Sequence, residues 1–192
     1  MRTETLEIKI YKFNELSDEA KEVVKQWWLR SLDADDFKND CLEILASEYG
    51  VTTLDISFDL GYCQGDGLCM YGEISTYKID EKIWKIFTKG LTKRQKEIAG
   101  DDISKIIFRK VNHRYSHANT VSIEIEDNYD NPKHENILTK VEENVKAWYF
   151  KECAAFEKYG YDYFYEISEE DLNEICEANE YEFLENGKQY YV

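Results

Sequence analysis

The stretch that decides the fold is Asp59–Ile74, DLGYCQGDGLCMYGEI. Two runs that can lie in strands flank a glycine-rich turn, and glycine on both sides of Asp66 implies backbone with positive φ. "GDG" leads into a strand, so no helix N-terminus is aimed at a phosphate. The stretch reads as an antiparallel hairpin over 52–62 and 68–77. It places Gln64 and Asp66 on the turn and Cys63 and Cys69 to either side of it.

Outward from the hairpin, the rest of the chain does not alternate as regular βαβ units. Residues 5–13 (TLEIKIYKF) alternate as a first strand. LSDEAKEVVKQWWLR then opens a helix capped by Ser17, with Asp18 and Glu19 at its positive end. A second helix covers DADDFKNDCLEILASEYG, with Gly50 as its stop. Beyond the hairpin come a short amphipathic helix at 79–90 and one or two further helical turns. A strand pair follows at 103–111 and 117–126, then a long helix at 134–157 and a helix capped by Ser168. The C-terminus reads as a hairpin with Asn186–Gly187 in a two-residue type I′ turn. The pattern predicts one α+β domain over 1–192, an antiparallel β-sheet of five or more strands with helices packed on one face. Trp27 and Trp148 are expected in the interior.

Composition narrows the class. The 192 residues are 43% hydrophobic and 15% aromatic, enough for a packed core. No apolar run is long enough for a membrane span, and MRTETLEIKIYKF has no signal-peptide core, so a cytoplasmic protein is expected. Five cysteines, an odd number without a C-x-x-C pair, suit a reduced compartment. A Cys63–Cys69 disulfide across the hairpin is the exception that the spacing leaves open.

Net charge is −16, unevenly spread. Residues 124–186 hold nineteen acids and five bases, whereas residues 78–114 hold eleven bases and five acids. Such a chain repels nucleic acid and attracts a basic partner. Lys78, Lys82, Lys85 and Lys89 share one side of a helix and could meet phosphate, but the overall charge opposes direct nucleic-acid binding. The acids that helix faces should present to a partner are Glu142, Glu143, Glu169, Glu170 and Asp171.

The common catalytic signatures are missing: no G-x-x-x-x-G-K-[ST], no G-x-S-x-G, no H-E-x-x-H. One constellation remains. His113, Arg114, Tyr115 and His117 lie together in NHRYSHANT, and an extended backbone would point His113, Tyr115 and His117 the same way. With Asp66 they could form an acid–base corner, and with Cys63 a zinc site could be written. The H-x-x-x-H spacing suits a helix better than a strand, so neither a metal nor any other cofactor is expected. Gln64, Asp66, His113, Arg114, Tyr115 and His117 are the candidate binding residues, and no residue is assigned as catalytic.

FDLGYCQGDGLCMYG, HRYSHANTVSIEIE and YGYDYFYEI…ANEYEFLENGKQYY follow one another in an order that resembles a family of small acidic proteins of phages and mobile elements in Gram-positive bacteria. Those proteins carry an S-Q-G-D-G-like hairpin after a segment like YKFNELSDEAKEVV, and some are labelled antitoxins. The pattern is also similar to type II anti-CRISPR proteins. Cys63 stands where the family has serine, which argues against cysteine chemistry. The resemblance implies an interaction protein in the host bacterial cytoplasm. Its partner would be a basic host protein, a CRISPR effector nuclease of the Cas9 kind, blocked through an acidic, DNA-mimicking surface. An antitoxin that neutralises a basic toxin and a small enzyme built on Asp66, His113 and His117 are the alternatives. A homodimer stays open.

Overall fold

The computed structural model describes residues 7–111, 114–129 and 131–191. Contacts divide the chain into two compact units. The larger is Ala34–Gly160, and the smaller joins Met1–Asp33 to Tyr161–Val192.

The larger unit is built on a four-stranded antiparallel sheet of order β1-β2-β3-β4, where β1 is Leu54–Asp59, β2 Gly67–Ser75, β3 Ile103–Lys110 and β4 Val121–Asp127. Pairing Ile56 with Met70, Ile74 with Ile106 and Phe108 with Ile123 puts large apolar side chains on one face. Helices cover that face. Phe37 of α2 (Ala34–Tyr49) meets Phe58 edge-on at 4.9 Å. Tyr149 of α5 (Glu135–Tyr165) stacks on Phe108 at 5.4 Å and donates its hydroxyl to the Met70 carbonyl at 3.2 Å. Trp148 packs against Phe87 of α3 (Glu81–Phe87). Burying aromatic side chains of this size supplies much of the driving force for the layer. The fold is α+β, as the hairpin and the irregular order of elements predict.

The opposite sheet face is polar. Lys105 sits between Glu73 (3.6 Å) and Glu126 (3.4 Å), and Arg109 reaches Glu124 at 3.3 Å. Tyr71 donates to Asp55 at 2.8 Å, and Lys38 pairs with the same carboxylate at 2.6 Å. Burial alone would raise Asp55, but the bonds from Lys38, Tyr71 and the Ile56 N–H hold it below its ordinary 3.8.

The smaller unit has its own core: Phe13, Leu16, Ala20, Val24, Leu172, Cys176 and Phe183. Ser17 caps α1 (Asp18–Ser31) and Ser168 caps α6 (Glu169–Ala178), each through its hydroxyl. Trp27 packs edge-on to Tyr181 at 5.4 Å and is half-buried, whereas Trp148 in the larger unit is 3% exposed.

Three expectations need correction. The described sheet has four strands, not five or more. Residues 7–13 carry only an isolated bridge, Tyr11 to Phe183, before Phe13–Glu15 turns as a 3-10 helix. The short alternating run at the N-terminus finds no ladder to join. The C-terminal turn is not a two-residue type I′ loop. Gly187 N–H bonds Leu184 C=O and Leu184 N–H bonds Lys188 C=O, which makes three loop residues with glycine at φ +76°. A Cβ on Gly187 would lie 2.2 Å from the Ala20 carbonyl oxygen, so α1 backbone occupies the space a side chain would need. Finally, the long helix runs on to Tyr165, through Gly160.

Candidate functional site

The turn of the β1–β2 hairpin and the segment after β3 meet in space. A β-turn closes with Asp66 N–H on the Cys63 carbonyl at 3.2 Å. The Asp66 side chain folds back over it. One carboxylate oxygen accepts the Cys63 N–H at 2.9 Å and the other accepts the Cys63 thiol, also at 2.9 Å. Gly65 takes φ +101° and Gly67 +152°, the glycine-only backbone that the sequence demanded. Tyr62 takes φ +56°, which a bulky side chain adopts at a cost.

The tyrosine ring of the second segment lies against this turn. An added Cβ at Gly65 would sit 2.5 Å from the Tyr115 ring, and one at Gly67 would sit 2.9 Å from the His117 ring. Both glycines therefore serve close packing as well as conformation. Below them, Lys110 donates to Ser57 at 2.9 Å, and the Ser57 and Ser116 hydroxyls bond at 2.7 Å. His117 caps the turn at Ala118–Thr120, its Nδ1 accepting the Asn119 N–H at 3.1 Å. Val111 N–H bonds the Thr120 carbonyl at 2.8 Å, so the loop returns to its strand. Cys69 is fully buried beside Lys110 and Thr120, and burial pushes its thiol up.

The outward surface of this tip is aromatic and polar. Tyr62 is 69% exposed and Tyr115 37%. Gln64 is exposed on the turn, and the exposed Arg114 guanidinium lies 5.4 Å from the Tyr115 ring centre. Of the candidate binding residues, Gln64, Asp66, Arg114, Tyr115 and His117 are thus brought together. His113 lies outside the described residues. Asp66 and His117 point into the fold's own hydrogen bonds, which leaves Tyr62, Gln64, Arg114 and Tyr115 as the presenting groups. Tyr62 was not among the sequence candidates, and its one signal was its place beside the glycine-rich turn.

The geometry also places the cysteines and the groups that a metal could use. Cys63 is exposed, Cys69 is buried, and both are free thiols, so the disulfide that the spacing left open is absent. The bond to Asp66 comes first among the causes that raise Cys63 above its ordinary 9.0, and that keeps it a protonated thiol near neutral pH. Asp59, Cys63 and Asp66 place one ligand atom each within 4.8 Å of one another. Three such groups on one exposed turn are explained by the turn itself, with the thiol already donating to Asp66.

The acids expected on a partner surface fall in two settings. Glu142 and Glu143 of α5 are both paired within their own helix, to Lys146 and to Lys140. On α6, Glu169 pairs with Lys21, and Asp171 closes on Ser168 at 2.6 Å. Glu170, Glu174 and Glu177 are exposed on the same helix, which has no basic residue. Leu172 and Cys176 hold the other side of α6 in the core.

One polar pair was invisible in the sequence. Asp102, 6% exposed, meets His134 Nδ1 at 2.5 Å and joins the end of α4 (Lys93–Asp102) to the start of α5. The two lie 32 residues apart, so no local spacing announces them.

No helix among the described residues is long and apolar enough to cross a membrane. No curated protein matches the chain, and no solved structure does. Residues 27–169 match a domain of unknown function, DUF8835. That span contains the hairpin, the whole sheet and the tip, and the chain belongs to the DUF8835 family.

Proposed function

We propose that the protein is a binding module that engages a basic host protein, with the hairpin tip as its shaped contact and the acids of α6 as its source of attraction. The observation that carries this is the use of Asp66. Both of its carboxylate oxygens are committed to the Cys63 N–H and thiol, so the residue that would serve an acid–base corner holds the tip in shape instead. Exposed Tyr62, Tyr115 and Arg114 are the side-chain types that dominate binding hot spots. A rigid mount lets tyrosines bind without a large ordering cost. The smaller unit supplies long-range attraction: its two segments hold seventeen acids and seven bases.

The partner this reading names is a CRISPR effector nuclease, whose nucleic-acid channel is positively charged. The resemblance to type II anti-CRISPR proteins supports that choice. The test is inhibition of target cleavage by a guide-loaded Cas9-type nuclease from a Gram-positive host, titrated with the full chain. Inhibition that competes with target DNA and is lost in Tyr115→Ala/Arg114→Ala supports the reading. Inhibition that survives those changes would move the contact elsewhere. If no nuclease of this class is inhibited, the partner is wrong, and rescue of cells from a co-expressed basic toxin would give the antitoxin reading its place.

A further inference from the structure

The lysines that the sequence arranges along one helix face do not stay together. Lys82 turns to the Ser47 carbonyl at 3.0 Å. Lys85 and Lys89 instead rim a groove of about 470 Å³ whose other wall is α5, with Lys151 on that side. Ile86, Ala147 and Trp148 make its floor, and no acid lines it. In a chain with forty acids and twenty-four bases, an acid-free lining with three lysines is an exception.

The groove is preformed. Asn144 of α5 donates its amide to the Phe87 and Lys89 carbonyls, both at 2.9 Å, and so ties the end of α3 to α5 at a fixed spacing. Trp148 is held below by edge contacts with Phe87 at 5.5 Å and Tyr49 at 5.6 Å. Its indole N–H, near the Tyr49 hydroxyl, is buried without a hydrogen bond of good geometry. Lys85 has Glu81 as a neighbour one turn back, and Lys151 has Glu152. Lys89 makes no ion pair among the described residues.

We infer that this groove binds an acidic amphipathic helix of a partner protein, apolar side chains down on Trp148 and Ile86 and carboxylates out to both lysine rims. Three features choose this occupant. Cations stand on both walls, so the occupant needs acid on both flanks of an apolar stripe, whereas a fatty acid has one carboxylate at one end. Lys85, in the last turn of α3, and Lys89, in the turn that follows it, stand on the same rim, so one flank of the occupant meets two cations. The walls are themselves parts of two helical segments, the setting in which a third amphipathic helix docks. A second copy of this chain fits less well: α6 has the acids, but Leu172 and Cys176 are already buried in its own core, which leaves only Ile175 and Ala178 as apolar contacts. This site is separate from the tip and does not depend on the tip's role.

The test uses the full chain and a fluorescein-labelled peptide Glu-Leu-Glu-Glu-Leu-Leu-Glu-Glu-Leu-Glu. Anisotropy should show saturable binding that weakens with salt. Lys85→Glu/Lys89→Glu/Lys151→Glu should weaken it at least tenfold, and Ala147→Trp, which fills the floor without changing charge, should do the same. Circular dichroism checks that both variants keep the fold. The Tyr115→Ala/Arg114→Ala protein should bind the peptide as the parent does, which separates this site from the tip. The inference is overturned if the peptide does not bind, or if a version with serine in place of every leucine binds as well, since the floor would then be unused. It is equally overturned if dodecanoate saturates the groove where the peptide fails, or if the lysine variant abolishes a self-association seen by sedimentation, which would make the occupant a second copy.

Discussion

The hairpin tip and α6 were both candidate contact surfaces, and they are built on opposite principles. At the tip almost every polar group is spent inside the fold: Asp66 on Cys63, His117 on Asn119, Ser57 on Ser116 and Lys110. What remains exposed is a set of rings, one guanidinium and the Gln64 amide on a fixed frame. On α6, Glu170, Glu174 and Glu177 face water, and the helix is held by its apolar side, its Ser168 cap and the Glu169–Lys21 pair. A surface of the first kind has shape, and its mutations act on how long a complex lasts. A surface of the second kind has field, and its mutations act on how fast a complex forms.

The strongest way to break the comparison is Asp66→Ala. It leaves two Cys63 donors without their acceptor, and the urea midpoint of the chain should fall. Dissociation from the proposed partner should be at least ~10-fold faster, and Cys63 should become quicker to alkylate. If Asp66→Ala keeps full stability and slow alkylation, the tip is not held in the way described.

Gly65→Ala tests packing instead of hydrogen bonding. The methyl would meet the Tyr115 ring at 2.5 Å in a backbone region of φ +101°. A cost of about 1–2 kcal/mol is expected, with Tyr115 displaced and tip binding weakened while the thermal transition stays cooperative. Unchanged binding by a folded Gly65→Ala protein would detach Tyr115 from recognition.

Charge reversal on α6 should look different. Glu170→Lys/Glu174→Lys/Glu177→Lys should slow association by about tenfold at low salt and flatten its salt dependence. Dissociation should hardly change, and stability should move by less than ~1 kcal/mol, as for exposed sites. A change confined to the dissociation rate would make α6 a direct contact. Glu142→Gln/Glu143→Gln sharpens the contrast from the weak side. Those acids already have lysines in their own helix, so stability should shift by no more than ~0.5 kcal/mol and association by less than about twofold.

The pH response is one that both regions share, because each carries a thiol raised above its ordinary value. Cys63 at the tip titrates above its ordinary 9.0 because Asp66 and the nearby Asp59 charge oppose the thiolate. Burial raises Cys41 and Cys153 to about 12 as well. Folding thus favours the protonated thiols. Their contribution is complete below the unfolded thiol range and is lost as pH climbs from about 9 toward these raised values. Urea midpoints should therefore fall off above pH ~9, and the buried Cys176 of α6, raised to about 11, acts in the same direction. Stability that stays flat to pH ~11 would contradict the burial of these thiols.

Local signals carried much of this molecule. Ser17 and Ser168 mark their helices because a hydroxyl beside a run of helix formers satisfies the first free N–H groups, whatever lies around it. The strand pairs and the glycine-flanked turn were legible for the same reason, since alternation and positive φ are properties of a few adjacent residues. The misreadings arose where distant neighbours overrode local preference. The long helix read as 134–157 runs on through Gly160 to Tyr165, and Phe37 and Leu60 pack so closely there that an added Cβ would lie 2.3 Å from Leu60. The N-terminal run alternates like a strand, but among the described residues it pairs only through the Tyr11–Phe183 bridge.

For the functional surfaces the division is similar. The residue types at 62–67 and 114–117, and the imbalance of charge, are written in the sequence. That the two segments meet was not, since Gly65 and Tyr115 are separated by half the sheet and only the β1–β2–β3 ladder brings them together. The same holds for Asp102 with His134, and for Lys151 opposite Lys85 and Lys89. Composition fixes which charges and rings a chain has, and short-range sterics fix where it turns. Which of those groups become each other's partners, and which are left for another molecule, depends on long-range packing that no local pattern encodes.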